Sequence, residues 1–353
     1  MENTVIPGVR RIAVLRAGGL GDFVFATPAL QSLREAYPDA EITLLTGPLH
    51  RELIEGRPGP WDRVEVVPRY PGVREDDLEP CEPLASFLDR MRNHRFDLAV
   101  QMHGGGRNSN PLIRDLRAAV TVGCRTPDAM PLDRELPHVF LHSEATRWLE
   151  LIALVGGRFR ATVPHLEVTD VDRARAGEVL PPDGRAEVTL HPGAGSPRRR
   201  WPVERFARLG DGLARMGMRV VLVGGPADAG LTHAVADAMT ETHVDLGGRL
   251  SLRALIGLFA RASLHVGNDS GPAHIARAVA PATLTLTWGP NLLTAGPIGP
   301  AHRHRAVLGW RMECPECATR LVEDSCSHSS SLIDGIDVGD VLDQARELIG
   351  AAP

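Results

Sequence analysis

Lysine is absent from this sequence, so all 39 basic side chains are arginine. Any cationic contact to a phosphate must therefore use the planar guanidinium fork, not a point charge. Basic residues are not in excess either: the formal net charge of -5 counts against a general nucleic-acid binder. No run approaches the roughly 18 apolar residues that a membrane span needs, and residues 1–11 lack the apolar core of a signal peptide. A cytoplasmic location is the expectation. Five cysteines in 353 residues are too few for a disulfide framework, and three of them cluster near the end.

What is present is an ordinary globular composition, 43% hydrophobic and 24% charged. The length exceeds what one hydrophobic core sustains, so two domains of about 150 to 200 residues are expected. The order of apolar runs agrees. Arg11–Arg16 has strand length and breaks into the glycine turn Ala17–Asp22. Phe23, Ala26, Leu30 and Leu33 then follow at helical spacing. The spacing Gly18, Gly19, Gly21 is not a GxGxxG fingerprint, so dinucleotide binding is not implied.

Further strands are predicted over 41–46, 64–67, 97–102 and 118–123, a surface loop over 69–83, and a helix over 142–156. An extended linker is predicted over 160–170. The opening pattern then restarts: strand 187–191, glycine turn 192–197, helix 206–216, strand 219–223. In open α/β sheets ligands bind beyond the carboxyl ends of strands. The glycine turns at 17–22, 103–106, 192–197, 224–226 and 267–271 should therefore line binding edges.

Three stretches carry chemistry. In Gly267–Ala276 a strand end passes through Asp269 and Ser270, either of which can cap a helix, to Pro272 in its first turn. Such a helix start offers free N–H groups and a positive dipole end to an anion. In Gly193–Pro202 small residues precede Ser196 and the run Arg198, Arg199, Arg200, which suits a phosphate or diphosphate. Asp22 closes the first glycine turn, where it is either a helix cap or a carboxylate available as a general base. His103, Arg107 and Asn108 follow another glycine turn and are candidate ligand contacts, as are His50 and Arg51, with a solvated loop as the alternative.

The segments Arg11–Leu30 (RIAVLRAGGLGDFVFATPAL), His191–Pro202 (HPGAGSPRRRWP), Val220–Asp228 (VVLVGGPAD) and Gly267–Ala276 (GNDSGPAHIA) together resemble glycosyltransferase family 9, the heptosyltransferase-like family. The resemblance implies two facing Rossmann-like doubly wound domains (GT-B, α/β) with a cleft between them. Residues 1–165 would form the acceptor side and 166–353 the nucleotide-sugar side. It further implies metal-independent transfer with inversion, from a nucleoside diphosphate sugar to a glycan or glycolipid hydroxyl. Matched by position, Asp22 falls on the family's base, and Ala194, Gly195 and Ser196 on its phosphate turn. Arg199 stands where the family usually has a lysine. Asp228 falls near the ribose contact, Leu250 near the base contact, and Asp269, Ser270, Gly271, Pro272 and His274 on the donor-binding turn and helix start. Gly19, Gly21, His103, Arg107 and Asn108 fall on the acceptor side.

The expected function is thus an inverting sugar transfer, with ADP-heptose as first donor and a lipopolysaccharide-core type of acceptor, at the inner face of the cytoplasmic membrane. A nucleotide-sugar epimerase or hydrolase on the same fold, and a non-catalytic nucleotide-sugar binder, are the alternatives. No cofactor is required by this chemistry. Cys314-Pro-Glu-Cys317 with Cys326 and His328 could make a tetrahedral zinc site, with His328 replacing the usual fourth cysteine of the family; free thiols or a local disulfide are the alternatives.

Overall fold

A computed structural model describes residues 4–75 and 82–350. The chain divides into two compact units, 1–167 and 168–353. Each unit carries a six-stranded, all-parallel sheet. In the first, β1 (Arg11–Leu15), β2 (Glu41–Thr46), β3 (Arg63–Val66), β4 (Leu98–Gln101), β5 (Val120–Arg125) and β6 (Arg134–Pro137) lie in the order β3-β2-β1-β4-β5-β6. In the second, β7 (Glu187–His191), β8 (Arg219–Leu222), β9 (His243–Asp245), β10 (Leu264–Asn268), β11 (Thr283–Trp288) and β12 (His304–Gly309) lie in the order β12-β11-β10-β7-β8-β9.

Renumbered within its own unit, the second order is the same 3-2-1-4-5-6 arrangement as the first. Each sheet therefore has its order reversal between its first and fourth strands, β1/β4 and β7/β10, where doubly wound folds bind ligands. All five glycine turns follow, or lie at, the carboxyl ends of strands β1, β4, β7, β8 and β10.

The central strands are buried on both faces, which is why β1 and β8 read as continuous apolar runs. Ile12, Ala13, Val14 and Leu15 of β1 are fully buried, and β7 is buried along its whole length. In the second unit one cluster joins Leu190, Trp201, Phe206, Leu222, Val266, Leu286 and Ile336. Among the described residues no helix is long and apolar enough to cross a membrane.

The helix Leu20–Ala36, which carries Asp22, contains Pro28 in its interior. Proline removes the N–H that would bond the carbonyl of Val24. The Thr27 hydroxyl donates to that carbonyl instead, at 2.8 Å, so the helix runs on without an orphaned acceptor. The structure also contains helices Pro48–Ile54, Leu84–Asn93 and Ser109–Asp115, all absent from the sequence reading. The last of these begins directly after Asn108, for which a solvated loop was the alternative. Of the loop expected over 69–83, residues 70–74 form a turn closed by a Tyr70–Arg74 bridge, and 76–81 lie outside the described residues.

Candidate active site

At the first order reversal the chain leaves β1 through Arg16, which is only 3% exposed. Its guanidinium is fully employed. Nε and Nη2 donate to the main-chain carbonyl of Asp22 at 2.9 and 2.7 Å, and Nη1 donates to the carbonyl of Met102, after β4, at 2.6 Å. The group also stacks over Trp148 at 4.8 Å. One side chain thus ties together the two loops that border the reversal. Its Nη2 lies 3.7 Å from Asp22 Oδ1 and 3.5 Å from Glu144 Oε2, so a buried cation is shared between two carboxylates.

Asp22 itself has two oxygens in two settings. Oδ2 accepts the Gly19 N–H at 2.7 Å and so closes the glycine turn onto the helix. Oδ1 faces Arg16, and the side chain is 48% exposed. The cap and the available carboxylate are therefore the same residue. Gly19 contributes the N–H, and Gly21 is a buried residue of the helix's first turn.

His50 supports this turn from below. Its Nδ1 accepts the Gly47 N–H at 3.2 Å, which leaves the proton on Nε2, and Nε2 donates to the carbonyl of Gly19 at 3.1 Å. Burial lowers its pKa to about 4, against the smaller raising effect of the Gly19 bond, so the ring is neutral near pH 7. His103 follows β4 and its Nε2 lies 3.0 Å from the carbonyl of Gly72. Burial and the Arg16 charge push its pKa down. Arg107 is paired with Asp128, and Asn108 packs so closely on Gly72 that a Cβ there would meet its amide. These three line a hollow of about 270 Å³ together with Gly104, Thr126 and His138.

At the second order reversal, the run of three arginines is divided among three partners. Arg200 donates to the carbonyl of Ala194 at 3.1 and 3.0 Å and braces the glycine turn. Arg198 turns away to the main chain of Cys326 and His328. Arg199 alone faces the strand ends, 3.5 Å from Asp269 Oδ2, with Nη2 beside Gly195. The expectation of a three-cation phosphate loop reduces to one cation with two braces. Ser196 precedes the short turn Pro197–Arg199.

Asp269 is buried and surrounded by donors: His274 Nε2 at 3.3 Å on Oδ1, and Asn291 Nδ2 at 2.9 Å on Oδ2 beside Arg199. Burial would raise its pKa, but the His274 bond and charge, Arg199 and Asn291 more than offset this and hold it low. Asp269 thus does not cap the helix Gly271–Val279. Ser270 occupies the cap position, yet its hydroxyl lies 3.0 Å from the Asn268 carbonyl and 3.2 Å from His191 Nδ1, and makes no bond to the helix. Pro272 sits in the first turn as expected. The helix start keeps backbone N–H groups that no side chain caps, the arrangement that suits an anion.

His191, at the end of β7, connects this edge to the loop after β8. Its Nε2 lies 3.3 Å from Asp228 Oδ2, and the Gly225 N–H reaches the same oxygen at 3.3 Å. The His191 bond holds the Asp228 carboxyl low against burial, with Gly225 and Arg200 adding to the effect. Gly193 passes so close that a Cβ would sit 2.2 Å from Asp228 Oδ1. Leu250 is half-buried in the loop between β9 and the helix Leu252–Arg261. Asn268 anchors the site from inside: its Nδ2 donates to the Pro192 carbonyl at 2.7 Å and its Oδ1 accepts the Trp201 N–H at 3.1 Å.

Elsewhere in the second unit, the ligand atoms of Cys314, Cys317, Cys326 and His328 all lie within 4.8 Å of one another.

Sequence reasoning missed Arg16, Glu144, His191, Asn268 and Asn291. Arg16 and His191 stand directly at strand ends before glycine turns, a signal that was there to use. Glu144 and Asn291 reach their sites from helices far along the chain and left none.

The geometry supplies a carboxylate at one strand-order reversal and, at the other, one arginine beside a helix start that no side chain caps. The chain is 25% identical over 345 residues to lipopolysaccharide heptosyltransferase 3 of Escherichia coli, covering 90% of this chain and 94% of that one. In fold it is similar to the crystal structure of a family 9 glycosyl transferase from Veillonella parvula, with a TM-score of 0.78, 22% identity and coverage of 96% and 97%. The E. coli ADP-heptose lps heptosyltransferase II gives a TM-score of 0.75 at 19% identity, covering 96% and 98%. The sequence profile of glycosyltransferase family 9 (heptosyltransferase) matches residues 84–320, more than half of the chain, and the chain belongs to that family, as a glycosyltransferase.

Proposed function

We propose that this glycosyltransferase moves a heptose, with inversion, from ADP-heptose to a hydroxyl of a lipopolysaccharide-core type of glycan, at the inner face of the cytoplasmic membrane. The donor and acceptor classes follow those in the names of the two E. coli relatives. The single observation that carries the reading is the edge formed by Arg199, the 193–196 turn and the helix start at Gly271, which no side-chain oxygen caps.

A sugar hydroxyl is a weak nucleophile until a base takes its proton as the new bond forms. Asp22 is that base: its Oδ2 is fixed by Gly19, and Arg16 keeps Oδ1 oriented. The hydroxyl oxygen attacks the anomeric carbon, the bond from that carbon to the diphosphate oxygen breaks, and ADP leaves with the electron pair. Charge growing on the diphosphate is met by Arg199 and by the backbone N–H groups of Gly271 and Ala273, preorganised donors of the kind that stabilise such leaving groups. In this reading Asp228 is assigned to accept from the ribose hydroxyls, and Leu250 to contact the adenine. Because these groups supply the charge, the step as written needs no cofactor.

The test is ADP release from ADP-heptose with and without a heptose-acceptor core oligosaccharide. Release that depends on acceptor and yields the extended glycan supports transfer. Full-rate release without acceptor overturns it in favour of hydrolysis. A thermal-shift series with ADP, UDP and GDP checks the donor: stabilisation should follow RT ln(1 + [L]/Kd) and be largest with ADP.

A further inference from the structure

The second unit holds one feature that the transfer reaction does not use. Cys314 and Cys317 flank the tight turn Cys314-Pro-Glu-Cys317-Ala318, in which Ala318 takes a left-handed φ of 56° and donates its N–H to the Cys314 carbonyl at 2.9 Å. Cys326 and His328 arrive from the far side of a short loop. Cys314 Sγ lies 3.6 Å from His328 Nδ1. Sulfur bound at about 2.3 Å and imidazole nitrogen at about 2.0 Å, at the two ends of one tetrahedral edge, would be about 3.5 Å apart. No pair among the described cysteines is disulfide-bonded.

The surroundings match as well. His328 turns Nε2 toward Glu316 Oε2 at 3.7 Å, and the Ser330 hydroxyl donates to Glu316. A carboxylate behind a histidine ligand fixes its orientation and tautomer in metal sites. Three thiolates and a divalent ion leave one net negative charge, and Arg198 Nη2 meets it, 2.8 Å from Cys326 Sγ. The same guanidinium donates to the carbonyls of Cys326 and His328, each at 2.6 Å. The Arg198 carbonyl in turn accepts the Leu332 N–H at 2.8 Å, and Ser331 Oγ donates to the Arg200 carbonyl at 2.6 Å. The residues on both sides of Arg199 are thus tied to the cysteine segment.

We propose that Cys314, Cys317, Cys326 and His328 bind one zinc ion in a closed tetrahedral site, and that this site, through Arg198, fixes the loop that presents Arg199. Three sulfurs and one nitrogen with no open position form a structural zinc set, and no step of transfer passes through the ion. The second half of the proposal rests on the donor-site reading above; the first half does not.

Protein purified with reduced thiols from zinc-supplemented cells should carry one zinc per chain by elemental analysis, and Cys326→Ser should lose it. Exchange for cobalt should give the visible d–d bands of a tetrahedral thiolate site. Iron in place of zinc, or no metal with every thiol titratable, overturns the assignment. Calorimetry with ADP then tests the coupling. Chelator-stripped protein, shown to be folded by circular dichroism, should bind ADP about tenfold more weakly than the zinc form, the scale of one hydrogen bond to a charged group. Arg198→Met should keep its zinc and show the same weakening. Equal ADP affinity in the stripped, Arg198→Met and zinc forms overturns the coupling. Zinc bound at one equivalent without ADP affinity in any form leaves the zinc site standing and overturns the donor-site reading.

Discussion

Asp22 combines a helix cap with the proposed base, and the two roles can be separated by substitution. Asp22→Ala removes the acceptor of the Gly19 N–H, a bond of 2.7 Å. Loss of such a cap costs about 1 kcal/mol, which in a domain of this size lowers Tm by roughly 2 to 4 °C. Asp22→Asn keeps an oxygen within reach of Gly19 and should unfold within about a degree of the wild type, a change of a few tenths of a kcal/mol. In catalysis the two variants should not differ. Neither side chain can take a proton at neutral pH, so kcat should fall by about 10² to 10⁴, equivalent to about 3 to 5 kcal/mol of barrier. ADP affinity should be unchanged in both, since every donor contact assigned here lies in the second unit. Calorimetric melting, ADP titration and a coupled ADP-release assay on the three proteins read these quantities directly. Asp22→Asn turning over within about threefold of wild type would refute Asp22 as the base and leave it as a cap.

Removing the charge at the donor edge with Arg199→Ala should weaken ADP binding by about 10- to 100-fold, the range for hydrogen bonds to charged groups, measured by calorimetry. Gly193→Ala should fold, as seen by circular dichroism, but bind ADP poorly, because its Cβ would displace Asp228 from 2.2 Å away. Stability should fall on acidification. His50 titrates near 4 when folded and near 6.5 when unfolded, so its contribution is complete above about pH 6.5 and is lost as pH drops through 4. That difference amounts to about 3 kcal/mol, and urea unfolding of His50→Gln at pH 7 and pH 4.5 should show a smaller loss between the two than wild type; an identical loss would refute the assignment.

Two central strands were legible because doubly buried parallel strands are written as unbroken apolar runs: Ile12–Leu15 and Val220–Val223 need no context. Strand β11, with the sequence TLTLTW, looks like a half-exposed strand but is buried on both faces. Two of its three threonines are satisfied by groups the sequence does not align with them: His304 Nδ1 at 3.0 Å from Thr283 and Arg277 at 3.5 Å from Thr285. The helices Pro48–Ile54 and Ser109–Asp115 are seven residues each, too short to show a period above local composition. In the site, glycine turns marked which loops matter, but not which side chains would be used. Glu144 lies 128 residues from Arg16, and Asn291 22 residues from Asp269, so both depend on tertiary placement.

The arginine run shows what charge counting misses. Three adjacent guanidiniums suggest a phosphate clamp, yet consecutive side chains in a short turn point in different directions and cannot converge on one anion. Arg198 spends its fork on two carbonyls, of Cys326 and His328, which a lysine could not span in the same way, and Arg200 spends its fork on the single carbonyl of Ala194. Arg199 gains from this. With its neighbours anchored on both sides, and Nη1 held 3.5 Å from a carboxylate that is itself fixed by His274 and Asn291, its position is set before any ligand arrives. Preorganisation of that kind lowers the cost of ordering a long side chain on binding. In a chain without lysine, the fork therefore serves twice: as the scaffold of the loop, and as the one cation the loop presents.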